Sequence, residues 1–174
     1  ATGAYSVAIG QQVKATNTRG SSFGGYNNLT SGIQASIIGG ANNTASGTNS
    51  HIYGGDSCVA STTFCFASGD GANSTIRGQE ARSSGRFSSL GDAQASRFVL
   101  RSDTIDATAE ALTANNVTAA ADNQVVLPNN SVYGFTGTII AREDSAATND
   151  FAVWEVKGGA VRAASAATTA LGSY

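Results

Sequence analysis

From Ala4 to Arg97 the chain alternates short apolar runs with glycine turns, and the alternation repeats. Four stretches align at an interval of fifteen residues: SVAIGQQVKATNTRG from Ser6, SSFGGYNNLTSGIQA from Ser21, SIIGGANNTASGTNS from Ser36 and HIYGGDSCVASTTFC from His51. Each opens on a strand-like run carrying Ile9, Phe23, Ile38 or Tyr53, then breaks at Gly10, Gly24-Gly25, Gly39-Gly40 or Gly54-Gly55. The interval then drifts, with turns at Gly69-Asp70-Gly71, Gly78 and Gly91, and SLGDAQAS from Ser89 reads as the opening of another unit. A unit this short buries no core alone, so neighbouring units must stack. Strands so brief make no stable hairpin, but wound as a coil each pairs with the strand above and the strand below. The double glycines permit positive φ, and the asparagine pairs that follow (Asn27-Asn28, Asn42-Asn43) are placed to bond their own turns. In this reading Ile9, Phe23, Ile38 and Tyr53 share one phase, and Tyr53 belongs to the core. The irregular stretch Ser61–Ser88 predicts a bulge or protruding loop, polar with Arg77, Glu80, Arg82 and Arg86.

Beyond Arg97 the pattern stops, which divides the chain into a repeat coil (1–97), a connector (98–123) and a terminal domain (124–174). Phe98–Arg101 reads as a strand with no glycine turn after it. Asp103–Leu112 has a weak helical stripe, but Thr104, Ile105, Thr108 and Thr113 favour extended chain, suited to a crossover onto a neighbouring subunit. Gln124–Leu127 reads as a strand ended by the turn Pro128–Ser131. VYGFTGTIIAR alternates from Val132, with Tyr133, Phe135, Ile139 and Ala141 on one face. EDSAATND is the connecting loop. In FAVWEVK, Phe151, Val153 and Glu155 face away from Ala152, Trp154 and Val156, and Gly158-Gly159 reads as a hairpin turn into AVRAAS. Such strands predict a small antiparallel, sandwich-like domain with too little core of its own.

Composition narrows the function. Charged residues are 13% and aromatics 7% of 174, with no methionine and much of the apolar content in alanine, which suits thin stacked turns rather than a wide core. The net charge is −2 with no Lys/Arg run, so nothing marks a nucleic-acid binder, and no stretch has the length for membrane insertion as a helix. Seven Lys/Arg oppose four Asp/Glu through Arg101, and three oppose eight after it, a weakly basic shaft before an acidic end. Cys58 and Cys65 read as buried free thiols, with a local disulfide as the alternative. The chain starts in mid-pattern without a methionine, as expected of a fragment or a processed product.

Two stretches bear a family resemblance. SVAIGQQVKA, FGGYNNLTSG, IGGANNTASG and SLGDAQAS resemble the stacked repeats in the heads of trimeric bacterial autotransporter adhesins, although the Gly-Gly and Asn-Asn forms depart from that consensus. The LPNNS turn, the FTGTIIAR and AVWEVKG strands and the final TTAL resemble a terminal β-domain of bacteriophage and prophage tail fibres and tailspikes. Relatives of that kind continue past TTAL with further strands, which puts closure within one subunit in doubt. The resemblance implies an all-β fold: a β-roll or β-helix-like coil of short strands, then the small antiparallel domain, intertwined as a homotrimer.

The function expected is a structural and attachment segment of a phage tail, located extracellularly in the virion tail. Its partners would be other parts of that tail and a host surface polysaccharide or lipopolysaccharide. Candidate sugar contacts are Tyr26, Tyr53, Tyr133 and Trp154 as aromatic platforms, with Arg82 and Arg86 for an acidic sugar. Each has a plainer reading: Trp154 anchors the terminal domain, and Arg82 and Arg86 are surface charge. The alternatives are a polysaccharide depolymerase, a bacterial surface adhesin, or a pure trimerisation and folding domain. Glycoside cleavage needs two carboxylates, and the shaft offers Asp56, Asp70, Glu80 and Asp92, of which Asp56 and Asp70 fall in successive turns. No HExxH, GxSxG or phosphate-cradling motif occurs, and no cofactor is expected. His51 is the single histidine; it would hold an ion only if three copies met on a shared axis, and its ordinary place is solvent or a neighbouring turn.

Overall fold

The computed structural model describes residues 1–106, 108–144 and 150–172, and the chain divides into two units, Ala1–Val125 and Val126–Tyr174. The first unit is a β-solenoid of five coils. Strands β1 (Val7–Gln11) and β2 (Lys14–Ala15) form the first coil, β3 (Ser21–Tyr26) and β4 (Leu29–Thr30) the second, and β5 (Ser36–Ile38) and β6 (Thr44–Ala45) the third. The fourth is β7 (His51–Asp56) with β8 (Val59–Ala60), and the fifth is β9 (Phe66–Asp70) with β10 (Asn73–Ser74). The odd strands stack in parallel and continue to β11 (Glu80–Ser84), while the even strands form a second parallel sheet. Registers such as Ser21↔Ser36 and Ser36↔His51 reproduce the fifteen-residue repeat, and Phe66↔Glu80 shows it shortened by one.

Why these residues make this coil is visible at its corners. The first asparagine of each pair, Asn27 or Asn42, sits outside in the left-handed region at φ 51° and 56°. The second, Asn28 or Asn43, is buried and bonds across coils as well as within its own turn. Gly25 and Gly40 also have positive φ, and a Cβ on either would collide with the carbonyl oxygen of the glycine above it. The stacking distance therefore admits no side chain there.

The interior is thin. Its columns hold Ser22, Ile37, Ile52, Ala67 and Ala81 under one sheet and Ala15, Thr30, Ala45, Ala60 and Ser74 under the other. Here the expected phase is off by one position. Ile9, Phe23, Ile38 and Tyr53 all lie on the outer face: Ile38 is 50% exposed and Tyr53 66%, beside Ile37 and Ile52 at 0%. Ring side chains are too wide for the space between two sheets of single-residue columns, so they project outward. Cys58 and Cys65 are buried free thiols, as expected, donating to Gly69 O and Ile76 O, each at 3.1 Å.

Four further expectations change. Ser61–Ser88 contains no protruding loop through Ser84, because deletion of one residue leaves the coil intact. SLGDAQAS does not open another coil. The chain instead reverses at Ser89–Ala93, and β12 (Gln94–Arg97) runs antiparallel to β11. Gln94 takes over the bonding of a next coil, its side chain accepting Asn73 N–H at 2.8 Å and donating to Asn73 O at 3.0 Å. Neither Phe98–Arg101 nor Gln124–Leu127 forms a strand; the first contributes a single bridge, Arg101↔Thr113. Asp103–Leu112 carries no helix among the described residues.

The second unit is one antiparallel sheet of β13 (Ser131–Arg142), β14 (Phe151–Arg162) and β15 (Thr169–Gly172), with a 3-10 turn at Ala166–Thr168. It is a single layer rather than a sandwich among the described residues. The loop expected at EDSAATND lies mostly outside those residues. Gly158-Gly159 is no hairpin turn: both glycines lie within β14 opposite Phe135 and Gly134, and a Cβ at Gly158 would stand 2.8 Å from the Phe135 ring. The missing side chain gives the ring its seat.

Candidate functional site

The outer face of the large parallel sheet is the most distinctive surface of the solenoid. Alternation along each strand puts Val7, Ile9, Phe23, Ile38, Tyr53 and Phe66 on it. Ile9 pairs with Phe23 and Phe23 with Ile38, forming an apolar ladder across successive coils. The Tyr53 and Phe66 rings meet edge to face with centroids 4.9 Å apart. His51 shares this face and its Nδ1 lies 2.7 Å from Ser36 Oγ. Phase alone misled here, since Ile37-Ile38 and Ile52-Tyr53 are doubly apolar and either member fits an inward position. Side-chain size was the usable signal: in Ser22-Phe23 the small residue is inside.

The four candidate carboxylates separate into three places. Asp56 and Asp70 are direct register partners, one strand spacing apart on the rim of the sheet, as their turn positions predict. Asp56 accepts from Asn42 Nδ2 at 3.1 Å and from Ser57 Oγ at 3.2 Å, which continues the exposed amide ladder begun by Asn27 and Asn42. Glu80 faces Arg97 across β11 and β12 with an N···O distance of 3.8 Å. Asp92 accepts the backbone N–H groups of Ser89 and Ser88 at 2.7 Å and of Phe87 at 2.9 Å. Those bonds, led by Ser89, hold its carboxyl below the ordinary aspartate range, so it serves as the anion that closes the reversing loop.

The candidate sugar contacts do not converge. Tyr26 is exposed in the rim column of Ala41 and Asp56. Arg82 lies on the outer sheet face at the β11–β12 end, paired with Ala95, and Arg86 is exposed where the chain leaves the coil. Tyr133 and Trp154 belong to the second unit, on the face that also carries Phe135, Ile139 and Val156. Burial raises the Tyr133 phenol above its usual pKa. Trp154 opposes Ile139 but is half exposed, so in the sheet alone it is only partly anchored. The opposite face is apolar too, with Val132, Ile140, Phe151 and Val153 exposed.

Among the described residues no three His, Cys, Asp or Glu side chains gather as a metal site, and no helix is long and apolar enough to cross a membrane. Comparison with protein-family models, curated proteins and solved structures finds no match. The β-solenoid is a structural module compatible with adhesin-like and tailspike-like architecture.

Proposed function

We propose that this chain is a structural and host-attachment segment of a phage tail fibre or tailspike, assembled as a homotrimer and presented extracellularly on the virion tail. The observation that carries the reading is the Ile9–Phe23–Ile38–Tyr53 ladder, aligned along the outer sheet face and uncovered in one chain. Each such side chain gains about 1.5–3 kcal/mol on full burial, and a contiguous exposed apolar stripe of this kind marks an interface. The resemblance to adhesin heads supplies the number of copies, three, with closed symmetry. A single-layer terminal sheet with apolar residues on both faces likewise calls for covering chains. Attachment follows from repetition: three copies turn weak contacts with a surface polysaccharide or lipopolysaccharide into firm retention.

Light scattering of the full chain tests assembly, and incubation of the same sample with host capsular polysaccharide and lipopolysaccharide tests attachment. A mass of three times 17.5 kDa with retained, intact sugar is the expected result. A stable monomer overturns the trimer. Shortened sugar chains would instead move the depolymerase reading forward, with the adjacent Asp56 and Asp70 as the first residues to replace.

A further inference from the structure

One corner of the solenoid faces a loop of the same unit, and a groove of about 340 Å³ separates them. Ser46, Thr48 and Thr63 line the coil side, and Arg77, Asn115 and Asp122 complete it. The volume falls at the lower end of the roughly 300–1,000 Å³ found for small-molecule sites. None of the aromatic or arginine candidates named from the sequence lines this groove.

Its polar groups are held in place from behind. Arg77 N–H donates to Asp122 O at 2.7 Å, which ties the loop to the coil. Asn123 is buried beneath the loop, donating to Asn115 Oδ1 and Thr118 O at 3.0 Å each and accepting Ala120 N–H at 2.7 Å. Asn115 therefore spends its oxygen on Asn123 and keeps its amide hydrogens to donate. The Arg77 guanidinium carbon stands 4.9 Å from the centroid of the Phe64 ring, which limits the swing of the fork. Phe64 itself is 54% exposed and sits at φ 60°, an uncommon conformation for an aromatic residue. Positions equivalent to it in other coils carry Gln34 and Asn49, also at positive φ.

We propose that this groove binds an uncharged pyranose unit of a polysaccharide, whose neighbouring hydroxyls donate to the Asp122 carboxylate and accept from Arg77 and Asn115. The inference rests on the attachment reading and gives it a place. A sugar hydroxyl both donates and accepts, and the lining residues carry groups for both roles: hydroxyls at Ser46, Thr48 and Thr63, a carboxylate at Asp122, a guanidinium at Arg77 and an amide at Asn115. The single guanidinium and single carboxylate cancel in formal charge, and an anionic sugar would bring its carboxylate against Asp122. Hydrogen bonds to charged groups are the stronger kind, and fixed partners lose little freedom when the ligand arrives.

The test is amide chemical-shift mapping of the isotope-labelled full chain with the methyl glycosides of glucose, galactose and mannose, and with methyl galacturonoside as the anionic comparison. Shifts at Thr48, Thr63, Arg77 and Asn115 with a neutral glycoside are expected, weakened about tenfold in Asp122→Asn and in Thr63→Val. Both variants should unfold at the wild-type temperature, because Asp122 and Thr63 bond Arg77 N–H and Gly78 N–H through their backbone oxygens. The proposal is overturned by no shift at these amides with any neutral glycoside, by shifts unchanged in both variants, or by tighter binding of the galacturonoside. Retention on host polysaccharide separates the two readings. Equal retention of wild type and Asp122→Asn overturns the groove alone. No retention of wild type overturns attachment, and the glycoside shifts then decide the groove.

Discussion

Asn28 and Asn43 occupy the same inner position of successive coils, and the side-chain oxygen of the first accepts the backbone N–H of the second at 3.0 Å. Asn43 repeats the bond upward, accepting Cys58 N–H at 2.8 Å, while its amide nitrogen donates to Gly55 O at 3.0 Å. A buried carboxamide thus replaces water for the backbone at these two corners. Asn43→Ala leaves the Cys58 N–H without this acceptor and the Gly55 carbonyl without this donor. Urea denaturation followed by circular dichroism should show a loss of about 2–4 kcal/mol. The exposed neighbour gives the contrast: Asn42→Gly keeps the left-handed backbone and should change stability by no more than about 0.5 kcal/mol.

Ile37 and Ile38 are adjacent in sequence and opposite in consequence. Ile37→Ala empties part of a fully buried column and should destabilise the fold by about 2–5 kcal/mol in the same assay. Ile38→Asp places a charge on the outer ladder and should leave the single coil folded while dispersing the assembly. Light scattering would read 17.5 kDa in place of three times that mass. An Ile38→Asp protein that stays trimeric removes this face from the interface.

Asp92 makes the reversing loop sensitive to acid. Its pKa is lower folded than unfolded, so its contribution is fully present above the unfolded value, near pH 4, and is lost as pH falls through the folded one. Hydrogen exchange at Phe87, Ser88 and Ser89 should therefore be slow at neutral pH, after correction for intrinsic exchange, and accelerate below that range. Asp92→Asn should abolish the pH dependence at these amides while sparing those of the coil interior. Uniform acceleration of wild-type exchange throughout the solenoid would contradict a local role.

Ser22 shares the column of Ile37, and its hydroxyl is buried with no hydrogen-bond partner among the described residues. Ser22→Ala should therefore raise stability by about 1 kcal/mol, seen as a higher urea midpoint at unchanged slope. A loss of stability would mean the hydroxyl has a partner, such as ordered water.

The coil was legible because Gly24-Gly25 and Gly39-Gly40, each followed two or three residues later by asparagines, recur at a fixed interval that only stacking explains. Its inside and outside were not, since the bulky member of Ile52-Tyr53 was assigned to a core too narrow for a ring. The end of the stack was missed for a different reason. Leu90-Gly91 copies the local signal of Ile9-Gly10, while the reversal depends on Asp92 and Gln94 meeting backbone elsewhere. Gly158-Gly159 carried a true hairpin signal, overridden by the Phe135 ring on the neighbouring strand. Of the candidate sites, the pairing of Asp56 with Asp70 followed from their spacing. The groove of Thr48, Arg77 and Asp122 did not, because residues far apart in sequence meet there, joined by the Arg77–Asp122 backbone bond.

The side chain of Gln94 and the reversed strand after it end the parallel stacking of the coils. Length in such a rod is quantised. Duplicating one unit, such as Ser36–Ser50, would lengthen it by one strand spacing, about 4.8 Å, with the coils on either side unchanged. Reach becomes an inherited integer, open to change by insertion or loss of whole repeats without redesign of any other residue.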